Sequence, residues 1–242
     1  MIQKRERQSK ALFYNETLGL PYDAGVSPIT KEQLRDICTG GPLQPPTAYD
    51  RQQPTFLGID YGPVNSDKSY TTVSIVRHGK VPKVVFAKKY MGKEAEYSFI
   101  HDDIPKIFDE WKCTHIAADY GMGEASNSEF RRRLGVDKVI AFQHLPNQKE
   151  IVRWNPKLPA YTLNRTQIMA DIFSEMQRGN FELPAWDDDT DRFMQDILNI
   201  QIDYKEESNI MRYENIGPDD FFHATLFATV AARLYKKIGN FG

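Results

Sequence analysis

The sequence predicts an α/β domain with a mixed central β-sheet, three antiparallel strands followed by parallel ones, flanked by helices. Three observations carry this. The runs TFLGIDY, YTTVSIVRHG and KVVFAKKYM are rich in β-branched and aromatic residues and are separated only by turn signals, as in an antiparallel meander. A helical pattern then leads to a fourth apolar run, THIAADY, and such a crossover lays it parallel to TFLGIDY. The first and fourth runs also end alike, in Asp60-Tyr61-Gly62 and Asp119-Tyr120-Gly121.

Taken in order, residues 1–53 are punctuated by Pro, Gly and Gln around one short helical pattern, KEQLRDICTG, and read as an extended arm or linker; the folded domain is expected over 54–242. In EAEYSFIHDDIPKIFDEWK, Tyr97, Ile100, Ile104 and Phe108 have helical spacing, with Pro105 as a break or a new first turn. Ser126 and Glu129 have the spacing of a capping box and mark the next helix start. DKVIAFQHL reads as a fifth strand, and the Pro-, Asn- and Trp-rich stretch from Asn147 to Asn164 as a loop before the helix RTQIMADIFSEMQRG, which stops at Gly179. A short FELP segment, a helix around DRFMQDILNIQ, a strand NIMRYENI and a last helix, PDDFFHATLFATVAARLYKK, complete the chain, without internal repeats.

Composition narrows the function classes. In 242 residues, 40% hydrophobic and 12% aromatic content supplies a sizeable core, and 31 basic against 33 acidic residues gives no overall signal of a nucleic-acid binder, although a local basic face remains open. Cys38 and Cys113 lack metal-ligand spacing and read as two unpaired thiols of a reduced protein. The amino terminus has no apolar signal-peptide region, and no apolar run is long enough to span a bilayer, so a soluble, intracellular protein with no membrane partner is expected.

If the first and fourth strands are parallel neighbours, Asp60 and Asp119 emerge at the carboxyl-terminal edge of the sheet, where open α/β sheets bind ligands. Gly62 and Gly121 let the backbone turn away there, and two ionised carboxylates side by side call for a cation or a raised pKa. Mg²⁺, a hard ion that binds oxygen ligands, meets that need. Asp-x-Gly after a strand is also ordinary turn chemistry. In GPDDFFHATLFATVAA, Asp219 and Asp220 read either as cap and dipole complement or as part of the site, and Asp220, Ala224, Phe227 and Ala231 share one face, small enough for close packing on a sheet. His223, three residues after Asp220, reads equally as a structural histidine and as a ligand or proton-transfer group.

A strand ending GIDYG, two further strands, a strand ending AADYG and a late helix opening DDFFHA resemble the ribonuclease H-like nuclease domain of phage large terminase subunits. FYNETLGLPYDAG resembles the segment that joins the ATPase and nuclease halves of those proteins. The last motif is similar to the Asp-x-x-Asp-Ala of Holliday-junction resolvases, with His223 where the second Asp would stand. The resemblance implies a ribonuclease H-like fold over 54–242, with 1–53 as the arm to an ATPase domain missing here, an excised domain starting at Met1. No G-x-x-x-x-G-K-[ST] motor motif occurs. It further implies an Mg²⁺- or Mn²⁺-dependent endonuclease, with Asp60, Asp119 and Asp220 holding two ions about 4 Å apart around a scissile phosphate of double-stranded DNA. His223 or Asp219 would complete the second ion's shell or relay a proton. Its partners would be the ATPase domain of the same protein, a small terminase subunit and a portal, in the cytoplasm of an infected bacterial host.

For substrate contacts the sequence offers Arg131, Arg132 and Arg133 after the second carboxylate, Lys88 and Lys89 at the end of the third strand, and Lys149, Arg153, Trp154 and Lys157 in the stretch up to Asn164. Each run reads also as a solvated face, and Trp154 also as a packing residue. GIDYGPVNSDKS resembles as well the first phosphate loop of actin-like and sugar-kinase ATPases, although no second related domain or Gly-rich adenosine site is found. A resolvase-like structure-specific nuclease and a non-catalytic DNA-binding module are the other readings.

Overall fold

The computed structural model describes residues 27–239 except 65, 67, 146, 147 and 206–209. The arm segment FYNETLGLPYDAG lies outside the described residues. The helices are α1 (Lys31–Asp36), α2 (Tyr97–Glu110), α3 (Glu124–Leu134), α4 (Arg165–Gln177), α5 (Asp191–Leu198) and α6 (Asp220–Gly239). The strands are β1 (Thr55–Asp60), β2 (Thr72–Arg77), β3 (Lys83–Lys89), β4 (His115–Asp119), β5 (Val139–Leu145), β6 (Val152–Asn155), β7 (Ala160–Asn164), β8 (Ile200–Lys205) and β9 (Ile210–Asn215).

Seven strands form one sheet in the order β3-β2-β1-β4-β5-β7-β6. The first three are antiparallel neighbours, β1, β4, β5 and β7 run parallel, and β6 returns antiparallel at the far edge. The α/β mixed sheet expected from the sequence is therefore present. Side-chain alternation along the strands divides the core between the two faces. Phe56, Val76, Ala117, Phe142 and Leu163 pack with α4, α5 and α6, whereas Leu57, Ile59, Val73, Ile75, Ile116 and Ala118 pack with α2 and α3. The segment carrying α1 adds Ile29, Leu34 and Ile37 to the first of these clusters.

The structure corrects four local expectations. Helix α2 runs unbroken through Pro105. Proline removes the hydrogen bond to the carbonyl four residues earlier, and that carbonyl, of His101, instead accepts from Arg133 Nη1 at 2.8 Å. The capping box at Ser126 and Glu129 does not form: α3 opens at Glu124, Ser126 Oγ meets His101 Nε2 at 3.0 Å, and Glu129 pairs with Arg132 and Arg133. The stretch from Asn147 to Asn164 is not a loop but contains the β6–β7 hairpin, its turn hidden by two prolines. Strand NIMRYENI has a partner the sequence reading missed, β8, with which it makes a separate two-stranded sheet leading directly into α6.

Cys38 and Cys113 are unpaired, and burial pushes their thiols up to about 11 and about 12, so neither is an activated nucleophile. Among the described residues no helix is long and apolar enough to cross a membrane.

Candidate active site

Strands β1 and β4 are parallel neighbours, with Ile59 opposite Ala118, so Asp60 and Asp119 leave the sheet at the same carboxyl-terminal edge. The third carboxylate arrives on α6, which packs across β1, β2 and β4 and has Asp220 as its first residue. The approach requires Gly58: a Cβ there would lie 1.8 Å from the Ala224 carbonyl oxygen. Thr225 Oγ1 donates to Ser74 Oγ on β2 at 2.8 Å and fixes the helix along its axis.

Each carboxylate has its own support. Asp220 accepts from Ser69 Oγ at 2.6 Å through one oxygen and from the Tyr70 N–H at 3.0 Å through the other. Asp119 accepts the Met122 N–H at 3.0 Å. The tyrosine and backbone of the two Asp-Tyr-Gly ends are joined by Asn127: Tyr61 OH donates to Asn127 Oδ1 at 2.9 Å, and Asn127 Nδ2 donates to the Asp119 carbonyl at 2.8 Å. Asp219 accepts from Asn215 Nδ2 at 3.1 Å and lies 3.2 Å from His223 Nε2. It does not serve as a simple cap.

Burial, then the charges of Asp220, Asp219 and Asp119, hold the Asp60 carboxyl well above the ordinary carboxylate range. Burial also raises Asp119 against the Met122 hydrogen bond, and raises Asp220 against Ser69, Tyr70 and Lys89. Asp219 goes the other way: burial works against its ionisation, but His223, Arg165 and Asn215 outweigh it and hold it below the ordinary range. The structure thus brings Asp60, Asp119, Asp219, Asp220 and His223 to one edge as an electrostatically coupled group.

Among the described residues no three His, Cys, Asp or Glu side chains close around a single point, so these groups converge without forming a finished cage. Their chemistry nonetheless fits a hard divalent ion: carboxylate oxygens that repel one another, beside a histidine whose Nδ1 is buried without a partner.

The expected substrate contacts are dispersed. Arg131, Arg132 and Arg133 occupy the last turn of α3, about 12 Å along the axis from its first residue. Arg132 and Arg133 pair with Glu129, and Arg133 also with Asp102, so two of the three arginines have carboxylate partners on the helix surface. Lys88 and Lys89 point to opposite faces of β3, Lys88 to Asp103 at 2.8 Å and Lys89 into a buried pair with Asp196. Lys149 and Arg153 lie at or near the end of the hairpin where Asn164 leads into α4, whereas Lys157 lies in the turn at the other end. Trp154 packs edge-on against Tyr161 but stays 49% exposed.

Sequence reasoning missed Ser69, Asn127, His144, Arg165 and Asp196. His144 and Arg165 had a usable signal, since each stands at or just past the end of a strand parallel to β1. His144 packs edge-on against His223, with ring centroids 5.5 Å apart and both ring nitrogens buried without a partner; burial, then His223 and Arg165, pushes its pKa well below the ordinary histidine value.

The sheet order is that of a ribonuclease H-like fold, and the likeness to solved large terminase nuclease domains is a likeness of fold. The chain is similar to the large terminase nuclease of thermophilic phage G20c, with a TM-score of 0.58 and 16% identity over 84% of this chain and 97% of that one. Similarity extends to the large terminase of bacteriophage HK97 (TM-score 0.57, 14% identity), covering 95% of this chain but 49% of that one, so the chain spans about half of that protein. A human cytomegalovirus terminase nuclease domain, soaked with manganese and with an inhibitor bound, matches at a TM-score of 0.50 and 12% identity over 85% of this chain and 95% of that one. No protein-family model and no curated protein matches the sequence.

Proposed function

We propose that the chain is a metal-dependent endonuclease that hydrolyses phosphodiester bonds of double-stranded DNA, as the nuclease part of a viral genome-packaging terminase. The observation that carries this reading is the convergence of Asp60, Asp119 and Asp220, from two strand ends and a helix start, on the ligand-binding edge of the sheet. Burial raises all three carboxyls, and neighbouring carboxylates add to it at Asp60 and Asp220; a bound cation would relieve both causes. Asp60, Asp119 and Asp220 would hold two Mg²⁺ or Mn²⁺ ions, with His223 or Asp219 beside them; such ions, when bound, lower the pKa of a water and stabilise a leaving oxygen.

The chain's own groups do the rest. Ser69 and Tyr70 orient Asp220, Asn127 ties the two Asp-Tyr-Gly ends together, and Asp219 fixes the His223 ring through Nε2. Arg165, at the start of α4, contributes positive charge toward Asp60 and Asp219 and is suited to meet a phosphate. In the packaging setting the partners would be duplex DNA, an ATPase domain of the same protein, a small terminase subunit and a portal, in an infected bacterial cell.

Incubation with supercoiled plasmid in Mn²⁺ or Mg²⁺, beside an ATP-hydrolysis assay, tests this. Nicked and linear products that vanish with EDTA, without ATP turnover, are expected. ATP hydrolysis with intact plasmid would instead favour the actin-like reading of GIDYGPVNSDKS.

A further inference from the structure

Lys89 and Asp196 form an ion pair sealed in the core beside the site. Lys89 Nζ lies 2.9 Å from each Asp196 oxygen, and the side chains are only 5% and 3% exposed. A well-packed apolar pair often matches or exceeds the stability of a buried ion pair, so stability alone is a weak reason to keep one. The contacts of this pair supply another. Asp196 Oδ2 accepts the Phe221 N–H at 3.0 Å, the peptide that follows Asp220 and one of the first-turn donors that α6 cannot satisfy internally. On its other side the Lys89 ammonium lies 5.1 Å from the centroid of the Tyr70 ring, and the Tyr70 N–H is one of the two donors that hold the Asp220 carboxylate. One buried cation therefore braces both supports of Asp220: the backbone of its helix, through Asp196, and the segment gripping its oxygens, through Tyr70.

We propose that Lys89 and Asp196 are positioning residues of the active site, which fix the Asp220 carboxylate in the orientation that lets it share a divalent ion with Asp60 and Asp119. The inference rests on the reading of Asp220 as a metal-holding group. Neither residue touches substrate; Lys89 is removed from the set of DNA-facing lysines and given an internal role.

The decisive variant is Lys89→Met combined with Asp196→Leu, which replaces the ion pair by apolar side chains of similar length and strands no charge. Its melting temperature, its Mn²⁺ affinity by titration calorimetry, and kcat and KM for DNA cleavage are compared with wild type. A positioning role predicts that the melting temperature returns to within a few degrees of wild type while the Mn²⁺ Kd rises and kcat falls, each about 10–100-fold, with KM for DNA little changed. A merely structural pair would recover Mn²⁺ affinity together with stability, and that result overturns the proposal. Should the double variant melt well below wild type, Asp196→Asn keeps the side-chain shape while removing the charge and exchanging one acceptor oxygen for a donor NH2; with native circular dichroism, an unchanged Mn²⁺ Kd there overturns the proposal equally. A wild-type protein that neither binds Mn²⁺ nor cuts DNA removes the nuclease reading and this inference with it. A wild type that does both, matched by the double variant, removes this inference alone.

Discussion

Asp60 and Asp119 stand at equivalent positions on neighbouring parallel strands, yet their surroundings differ. Asp119 has the Met122 N–H to stabilise its charge, whereas Asp60 is pressed by burial and then by Asp220, Asp219 and Asp119, with Arg165 the opposing cation. Because the folded-state pKa of Asp60 lies well above its ordinary value of 3.8, the group favours the fold below that value, and this contribution is lost as pH rises through the folded pKa. Asp60→Asn cannot ionise. In EDTA its melting temperature should match wild type near pH 4 and exceed it by a margin that widens toward pH 8, which differential scanning calorimetry reads directly. The same variant should lose metal-dependent cleavage, by at least about 100-fold as judged from the removal of a group that holds the ion. Wild-type nicking rates from Asp60→Asn would remove this aspartate from the site.

At the scale of elements, the meeting of β1 with α6 decides whether three carboxylates reach one place. Gly58 is the contact point, and the atom a side chain would strike is helix backbone, which cannot swing aside as a side-chain tip can. Gly58→Ala should therefore cost about 3 kcal/mol in urea unfolding, at the upper end of overpacking penalties, and should also weaken Mn²⁺ binding by displacing Asp220. A stability within about 0.5 kcal/mol of wild type would show that α6 sits more loosely than described. Helix α2 makes a related point. Its Pro105 is tolerated because Arg133 from α3 takes the His101 carbonyl that proline leaves unbonded, so an arginine singled out as a DNA contact serves as a brace between helices.

For the whole molecule, a net charge of −2 would leave the proposed DNA contact to local cations, and these divide into arginines paired with carboxylates along helices and cations near the aspartate edge. Arg132 and Arg133 are occupied by carboxylates of α2 and α3, whereas Arg165 and Lys149 lie toward the end of the sheet that carries the aspartates. Each phosphate contact adds about 0.9 to the slope of log K against log salt on duplex DNA. Arg165→Ala or Lys149→Ala should therefore lower that slope by about one unit each, uniformly across sequences, while Arg132→Ala should leave it nearly unchanged. Fluorescence anisotropy over a series of salt concentrations measures this in Ca²⁺, so that binding is followed without cutting. Strong sequence selectivity that persists at high salt would point to base readout and against this contact set.

The order of strands and helices was legible because periodicity and turn residues are local properties: a meander, a crossover helix and a parallel return can each be read within a few residues of chain. That order alone sent Asp60 and Asp119 to one edge, and the small face around Ala224 indicated how α6 could bring Asp220 to them. Strand β6 and the turn after it were obscured, since Pro156 and Pro159 carry the local signal of a loop although β7 covers the strand's hydrogen-bonding edge. What only the tertiary structure decided is the pairing of charges. Lys89 and Asp196 are 107 residues apart, and nothing near either predicts the other. A charged side chain looks the same in sequence whether it faces solvent or a buried partner, because its role is set by which elements pack against it. The chain's own pattern therefore determined where the carboxylates go, and packing determined which cations are paired, Lys89 with Asp196 in the core and Arg132 and Arg133 with Glu129 on the surface.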